Sequence, residues 1–134
     1  MDIRIDPEQI RPLAEKLGVE FIVLHGSHAT GKMHGQSDLD IAFECAHTLA
    51  FDELGELYAF LFNALRPNCE IDLVDLYNAD PVLKFQVASK GIPLYEVQPG
   101  TFREFQVYTS NEYADTQIMR DQVKTYLRDQ YHGT

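Results

Sequence analysis

Residues 18–43 read GVEFIVLHGSHATGKMHGQSDLDIAF, two apolar segments joined by a glycine-rich stretch. In the first, Val19 to Leu24 is almost wholly apolar and runs into His25, Gly26 and Ser27. A short run of this kind closed by a turn signal reads as a buried strand entering a tight turn. In the second, Asp38, Asp40 and Ala42 alternate with Leu39, Ile41 and Phe43. A period of two places the first set on one face of a strand and the second set on the other. The expectation is a half-buried strand with two acids side by side.

Outward from this pair, Asp6-Pro7 combines a helix cap with proline at the first helical position, and Gly18 supplies the stop, with Pro12 a potential kink. Downstream, Phe51, Leu54, Tyr58, Leu61 and Leu65 recur at intervals of three and four, an amphipathic helix that ends before Pro67. CEIDLVDLY, residues 69–77, is the next strand, with Asp72 on the side of Glu70 and Val74. Asp80-Pro81 repeats the opening signature and Gly91 the stop, which predicts a helix over 81–90, followed by the short strand IPLYEV. Beyond Pro99-Gly100, Met119, Val123, Tyr126, Leu127 and Tyr131 have helical spacing. The segment around Phe102, Phe105 and Tyr113 belongs to the same helix or to a broken pair. The sum is an α+β (mixed α/β) fold, a small mixed β-sheet flanked by helices with a C-terminal helical segment.

The 134 residues amount to one domain, with a core over 1–100 and a partner-facing segment over 101–134. With no second module, an acceptor must lie on another molecule. A content of 45% hydrophobic and 24% charged residues is that of a globular protein rather than a disordered one. No apolar run is long enough to span a bilayer and MDIRIDPEQI lacks the regions of a signal peptide, so the expected compartment is the cytoplasm. Cys45 and Cys69 lack CxxC spacing and read as reduced, partly buried thiols. The net charge of −10 repels polyanions, which argues against nucleic acid as a partner. Residues 101–134 are nearly neutral, with 4 basic and 5 acidic residues.

Three features carry chemistry: the Gly26-Ser27 turn, the Asp38/Asp40 pair and Asp72 on a later strand. Glycine lets the backbone approach a phosphate closely, and the amides that follow, with the Ser27 hydroxyl, offer donors to anionic oxygens. Carboxylates projecting to one side supply the hard oxygen ligands that Mg²⁺ takes alongside phosphates. Three clustered carboxylates repel one another unless cations offset them, and two divalent ions would support an in-line displacement. Lys32 is either a phosphate contact or a solvated loop lysine. His25, His28 and His34 admit a zinc reading, although an acid-rich setting suits magnesium, and they serve equally as phosphate or base contacts or plain loop residues. Gly31-Lys32 lacks the glycine spacing and the Ser/Thr of a Walker A motif. Glu70 and Asp75 read as strand and strand-end residues. Tyr108, Tyr113, Tyr126 and Tyr131 are packing residues or a partner-facing aromatic patch.

The segment GSHATGKMHGQSDLD, a Gly-Ser followed after ten residues by Asp-x-Asp, resembles the signature of the DNA polymerase β-type nucleotidyltransferases, and the chain is similar to their minimal branch. At average residue frequencies this spacing arises by chance on the order of once in a thousand chains of this length. Ala29, Gly31 and Ser37 also fall where that branch carries those types. Within the branch the likeness extends to the MntA-type antitoxins, paired with HepT-type HEPN ribonuclease toxins, including the Tyr-x-Asp-like segment at Tyr113, Ala114 and Asp115. The resemblance implies the polymerase β-type fold and an ATP- and Mg²⁺-dependent transfer of AMP to a tyrosine hydroxyl of a cognate HEPN toxin. It assigns Gly26, Ser27, Lys32 and Ser37 to the nucleotide, and Asp38, Asp40 and Asp72 to catalysis and to two metal ions. Asp72 also assists deprotonation of the acceptor. Where many relatives have arginines in the turn, this chain has His28 and Thr30, which weakens phosphate neutralisation.

Two rivals keep parts of this reading. A non-catalytic antitoxin would act by occlusion, although a pure binder has no need for three mutually repelling carboxylates. A nucleotidyltransferase could instead modify a small hydroxyl compound or an RNA end, the latter disfavoured by the lack of a basic tract.

Overall fold

Asp6 caps the first helix with its side chain: Oδ1 accepts the Glu8 amide at 3.0 Å, and Gly18, at φ 78°, closes the helix in the left-handed region. Between them lies α1 (Pro7–Leu17), which takes Pro12 into its interior. The computed structural model describes residues 3–31 and 38–132, and of residues 27, 28, 131 and 132 the backbone alone. The chain continues through β1 (Val19–His25), the short helix α2 (Gly26–Thr30), β2 (Leu39–Cys45), α3 (Phe51–Leu65) and β3 (Ile71–Asp75). It ends with α4 (Pro81–Lys90), β4 (Ile92–Glu96), α5 (Thr101–Asp115) and α6 (Gln117–His132).

The strands form one sheet in the order β3-β2-β1-β4. Strand β1 runs antiparallel to β2 and β4, while β3 lies parallel to β2, so the sheet is mixed, as the sequence implies. One face carries Ile22, Leu24, Leu39, Ile41, Phe43 and Ile71 against Ile10, Ala14 and Leu17 of α1 and Leu57 and Leu61 of α3. The other carries Phe21, Val23 and Ala42 against Val87 of α4 and Phe102 of α5, with Phe105 packed beside them. Each fully buried Ile, Leu or Phe here contributes roughly 1.5–3 kcal/mol. Phe21 meets Phe102 edge-on at 5.3 Å, which ties α5 to the sheet.

This second layer corrects the expectation of a half-buried β2. Ala42 is as fully buried as Ile41 and Phe43, because α4 and α5 cover its face; the polar positions Asp40 and Glu44 are half-buried on either side of it. In α3 the inward ridge centres on Leu57 and Leu61, while Phe51, at the helix start, is 92% exposed rather than part of the packed face. Strand β3 stops at Asp75, whose carboxylate accepts the Tyr77 amide at 3.0 Å and the Asn78 side-chain amide at 2.7 Å, turning residues 76–78 into a 3₁₀ turn. Asp75 is therefore a structural cap. Gly91 ends α4 for a steric reason rather than a left-handed one: its φ is −69°, but a Cβ there would stand 2.6 Å from the Val87 carbonyl oxygen.

The C-terminal helices are a broken pair. At the junction the Tyr113 carbonyl accepts from the Thr116 hydroxyl and from Arg120 Nη2, both at 2.8 Å, and this side-chain competition for a backbone acceptor favours a break. Cys45 and Cys69 are both free thiols, Cys45 buried. Among the described residues no helix is long and apolar enough to cross a membrane.

Glu44 gives the fold a pH dependence. Burial pushes its carboxyl up to about 7, opposed by Lys84 and reinforced by Glu20 and Asp75, and its Oε2 is buried without a hydrogen-bond partner among the described residues. An acid whose folded-state pKa is raised favours folding fully below its unfolded value near 4.5, and that contribution is lost as pH climbs through about 7. Glu44→Gln is expected to raise the melting temperature at pH 8 and to leave it nearly unchanged at pH 4. Equal shifts at both pH values would show that the carboxylate does not carry the effect.

Candidate functional site

The end of β1 brings the candidate residues together through strand register. His25, the last residue of β1, pairs with Asp40 of β2, and Asp40 pairs with Asp72 of β3. Register partners project to the same face, here the face that carries Val23 and Ala42 and that α4 and α5 cover further along. The site thus lies where that apolar cover runs out. Asp38 sits one residue before β2 and is exposed, as is Asp72, while Asp40 is half-buried. The start of β2 is pinned to β3 by the Leu39 amide, which donates to the Glu70 carbonyl at 2.9 Å.

Gly26 is required twice over. Its φ of +71° lies in the region that side-chain-bearing residues avoid. A Cβ at this position would fall 2.1 Å from Asp40 Oδ2 and 2.9 Å from Asp40 Cγ, so the Asp40 carboxylate rests against the bare backbone of the turn. The turn continues directly into α2, so the Gly-Ser pair opens a short helix. Lys32, His34 and Ser37 lie outside the described residues, as do the side chains of Ser27 and His28.

The backbone brings Asp40 and Asp72 into one row and sets Asp38 at its mouth. Among the described residues no three Asp, Glu, His or Cys side chains already converge as a metal-binding group. The donor chemistry still suits a hard dication: the row offers carboxylate oxygens, and the missing Cβ of Gly26 leaves Asp40 room at the turn.

Sequence reasoning placed His25 in the turn cluster; it is a strand residue in the carboxylate row. Burial lowers its pKa, while Asp40 and then Asp72 pull it back up, and its Nε2 is buried with no hydrogen-bond partner among the described residues. The reading also missed a pocket of about 510 Å³ beside Gly26, lined by His25, Thr30, Phe85, Gln86 and Tyr113 among others. Its signal was the spacing of Val82, Phe85, Gln86 and Ser89, which share one side of α4 and all line the pocket. Tyr113 is a packing residue, stacked on Phe85 at 4.0 Å, whereas Tyr108 and Tyr126 are each 63% exposed.

Comparisons with known proteins bear on the family and the fold. The polymerase beta nucleotidyltransferase family profile matches residues 8–99. The protein adenylyltransferase MntA of Shewanella oneidensis is 36% identical over 105 residues, which span 78% of this chain and 73% of that protein. A crystal structure of a toxin–antitoxin with AMP-PNP superposes with a TM-score of 0.66 at 32% identity, over 90% of this chain and 99% of its own. A structure of a tri-AMPylated Shewanella oneidensis HEPN toxin in complex with its MNT antitoxin matches with a TM-score of 0.59 at 31% identity, over 88% of this chain and 95% of the other. A profile matched over most of the chain, a relative 36% identical over 78% of it and a small mixed sheet flanked by helices lead to one conclusion: this chain belongs to the polymerase β nucleotidyltransferase family.

Proposed function

We propose that the chain is an antitoxin adenylyltransferase that transfers AMP from ATP to a tyrosine hydroxyl of a cognate HEPN ribonuclease toxin, neutralising it. The observation that carries the reading is the contact of the Gly26 backbone with Asp40, in a row that continues to Asp72. A phosphate-binding turn and a pair of hard ligands are thereby set against each other. The likeness to a relative named for protein adenylylation, and to structures that pair such an antitoxin with AMP-PNP or with an AMPylated HEPN toxin, supports the donor and the acceptor.

In this reading Gly26 and Ser27 hold the triphosphate, with Lys32 and Ser37 as further contacts, and the pocket walled by α4 and Tyr113 accommodates the nucleoside. Asp38, Asp40 and Asp72 hold Mg²⁺, two ions in all, which when bound supply charge neutralisation for the phosphates and the leaving pyrophosphate. The acceptor oxygen attacks the α-phosphorus, the new oxygen–phosphorus bond forms as the bond to pyrophosphate breaks, and Asp72 takes the hydroxyl proton. Asp72 is exposed, so an acceptor arriving on another protein can reach it. Helix α6 offers a surface for that protein: Met119, Val123, Tyr126 and Leu127 share one side of it and are each about half or more exposed. A small soluble domain with this chemistry fits a cytoplasmic setting.

Incubation of the chain with the HEPN protein, ATP and Mg²⁺ should raise the partner's mass in whole AMP steps and suppress its RNase activity. An antitoxin that acted by occlusion would suppress the RNase while leaving the partner's mass unchanged.

A further inference from the structure

A single ring ties together three helices around the pocket beside Gly26. Tyr113 of α5 lies face to face with Phe85 of α4, with centroids 4.0 Å apart and planes inclined by 13°. The Arg120 guanidinium of α6 sits 3.4 Å from the centre of the same Tyr113 ring. Two groups at these distances cannot share one face of a ring, so Tyr113 is sandwiched, with Phe85 below and Arg120 above. Arg120 is further fixed by hydrogen bonds from Nη2 to the Tyr113 carbonyl at 2.8 Å and to Gln117 Oε1 at 3.0 Å, and from Nε to Thr116 Oγ1 at 3.0 Å. The planar fork of arginine suits this combination of stacking and multiple donation, which an ammonium group would not reproduce.

Phe85 and Tyr113 both line the pocket, together with His25 and Gly26. We infer that Tyr113 is a positioning residue for the nucleoside triphosphate, and that Arg120 is the strut that holds its ring, and with it the outer wall of the pocket, in place from α6. The inference rests on the reading of this pocket as the nucleoside's. It adds that the wall depends on a helix otherwise almost wholly exposed, whose apolar stripe is the surface offered to the partner. Neither residue touches the reacting atoms; Tyr113 acts as part of the pocket lining beside Phe85, and Arg120 acts through Tyr113. A sandwiched ring needs its π face, not its hydroxyl, so phenylalanine should stand in for Tyr113 where alanine cannot.

The test is AMP-PNP binding to the full chain in Mg²⁺ by titration calorimetry, alongside steady-state transfer to the HEPN partner and thermal melting. Arg120→Ala and Tyr113→Ala are expected to weaken AMP-PNP roughly three- to ten-fold and to raise the KM for ATP by a similar factor, with kcat within about two-fold. Tyr113→Phe should recover most of the affinity that Tyr113→Ala loses, and Arg120→Lys only part. A purely structural role would lower the melting temperature without this split between KM and kcat. If the wild type binds AMP-PNP and both alanine variants match it, the strut is wrong while the nucleotide site stands. If the wild type itself does not bind AMP-PNP, the reading of the pocket fails and the inference fails with it.

Discussion

Asp40→Asn is expected to lower AMP transfer by roughly 10²–10³-fold or more, the scale on which removing one charge-stabilising group from a reaction centre acts. The substitution is nearly isosteric. It exchanges one hard anionic ligand for a neutral amide at the position shared by the turn and the carboxylate row. It also removes a negative charge that faces Asp72 in register, so the melting temperature should hold or rise slightly rather than fall. Partner binding should persist, because the stripe on α6 lies on a different element. Transfer rates and melting curves measured on the same preparation check both halves. Transfer retained at more than a tenth of the wild-type rate would mean that Asp40 does not hold the reaction's cation.

The second large effect is expected from Gly26→Ala, which leaves every carboxylate in the protein unchanged. The added methyl carbon would lie 2.1 Å from Asp40 Oδ2, far inside contact distance. The atom in its way belongs to a side chain that can rotate, so the fold should survive while the carboxylate is driven from its position. The backbone cost is that of a side-chain-bearing residue in the left-handed region, about 1–2 kcal/mol, which should appear as a drop of a few degrees in the melting temperature. Transfer should fall on the scale of Asp40→Asn. Because the two changes act through one carboxylate, the double variant should be no worse than the more impaired single one, as expected for residues in contact. Independent, multiplying losses would show that Gly26 acts on the triphosphate alone.

Much of this site was legible because its chemistry coincides with local rules. Alternation put Asp38 and Asp40 on one face without any knowledge of the fold, and the Gly26-Ser27 break was visible as the end of an apolar run. Helix ends at Asp6, Gly18 and Asp80 followed from capping, which depends only on neighbours in the chain. What could not be read depends on contacts distant in sequence. His25 joins the carboxylates only through the antiparallel register of β1 with β2, and no local pattern states a register. Ala42 gave no sign that its face would be covered, since α4 and α5 come from residues some forty and sixty positions later. Phe51 shows the opposite error: its spacing fits the helix period, but at the first residue of α3 it remains in solvent. Tyr113 read as a packing residue or part of a partner-facing patch and Phe85 carried no signal of its own; their place in the pocket lining arises from the meeting of α4 with α5.

The central claim is that the carboxylates of Asp38, Asp40 and Asp72 bind the divalent cations of the reaction beside the Gly26 turn. Crystals grown with AMP-PNP and Mn²⁺ in place of Mg²⁺ would locate the ions by anomalous scattering. Peaks bounded by the Asp40 and Asp72 carboxylates, with the triphosphate against Gly26 and Ser27, are the expected result. Manganese bound elsewhere, or a triphosphate seated away from that turn, would contradict it.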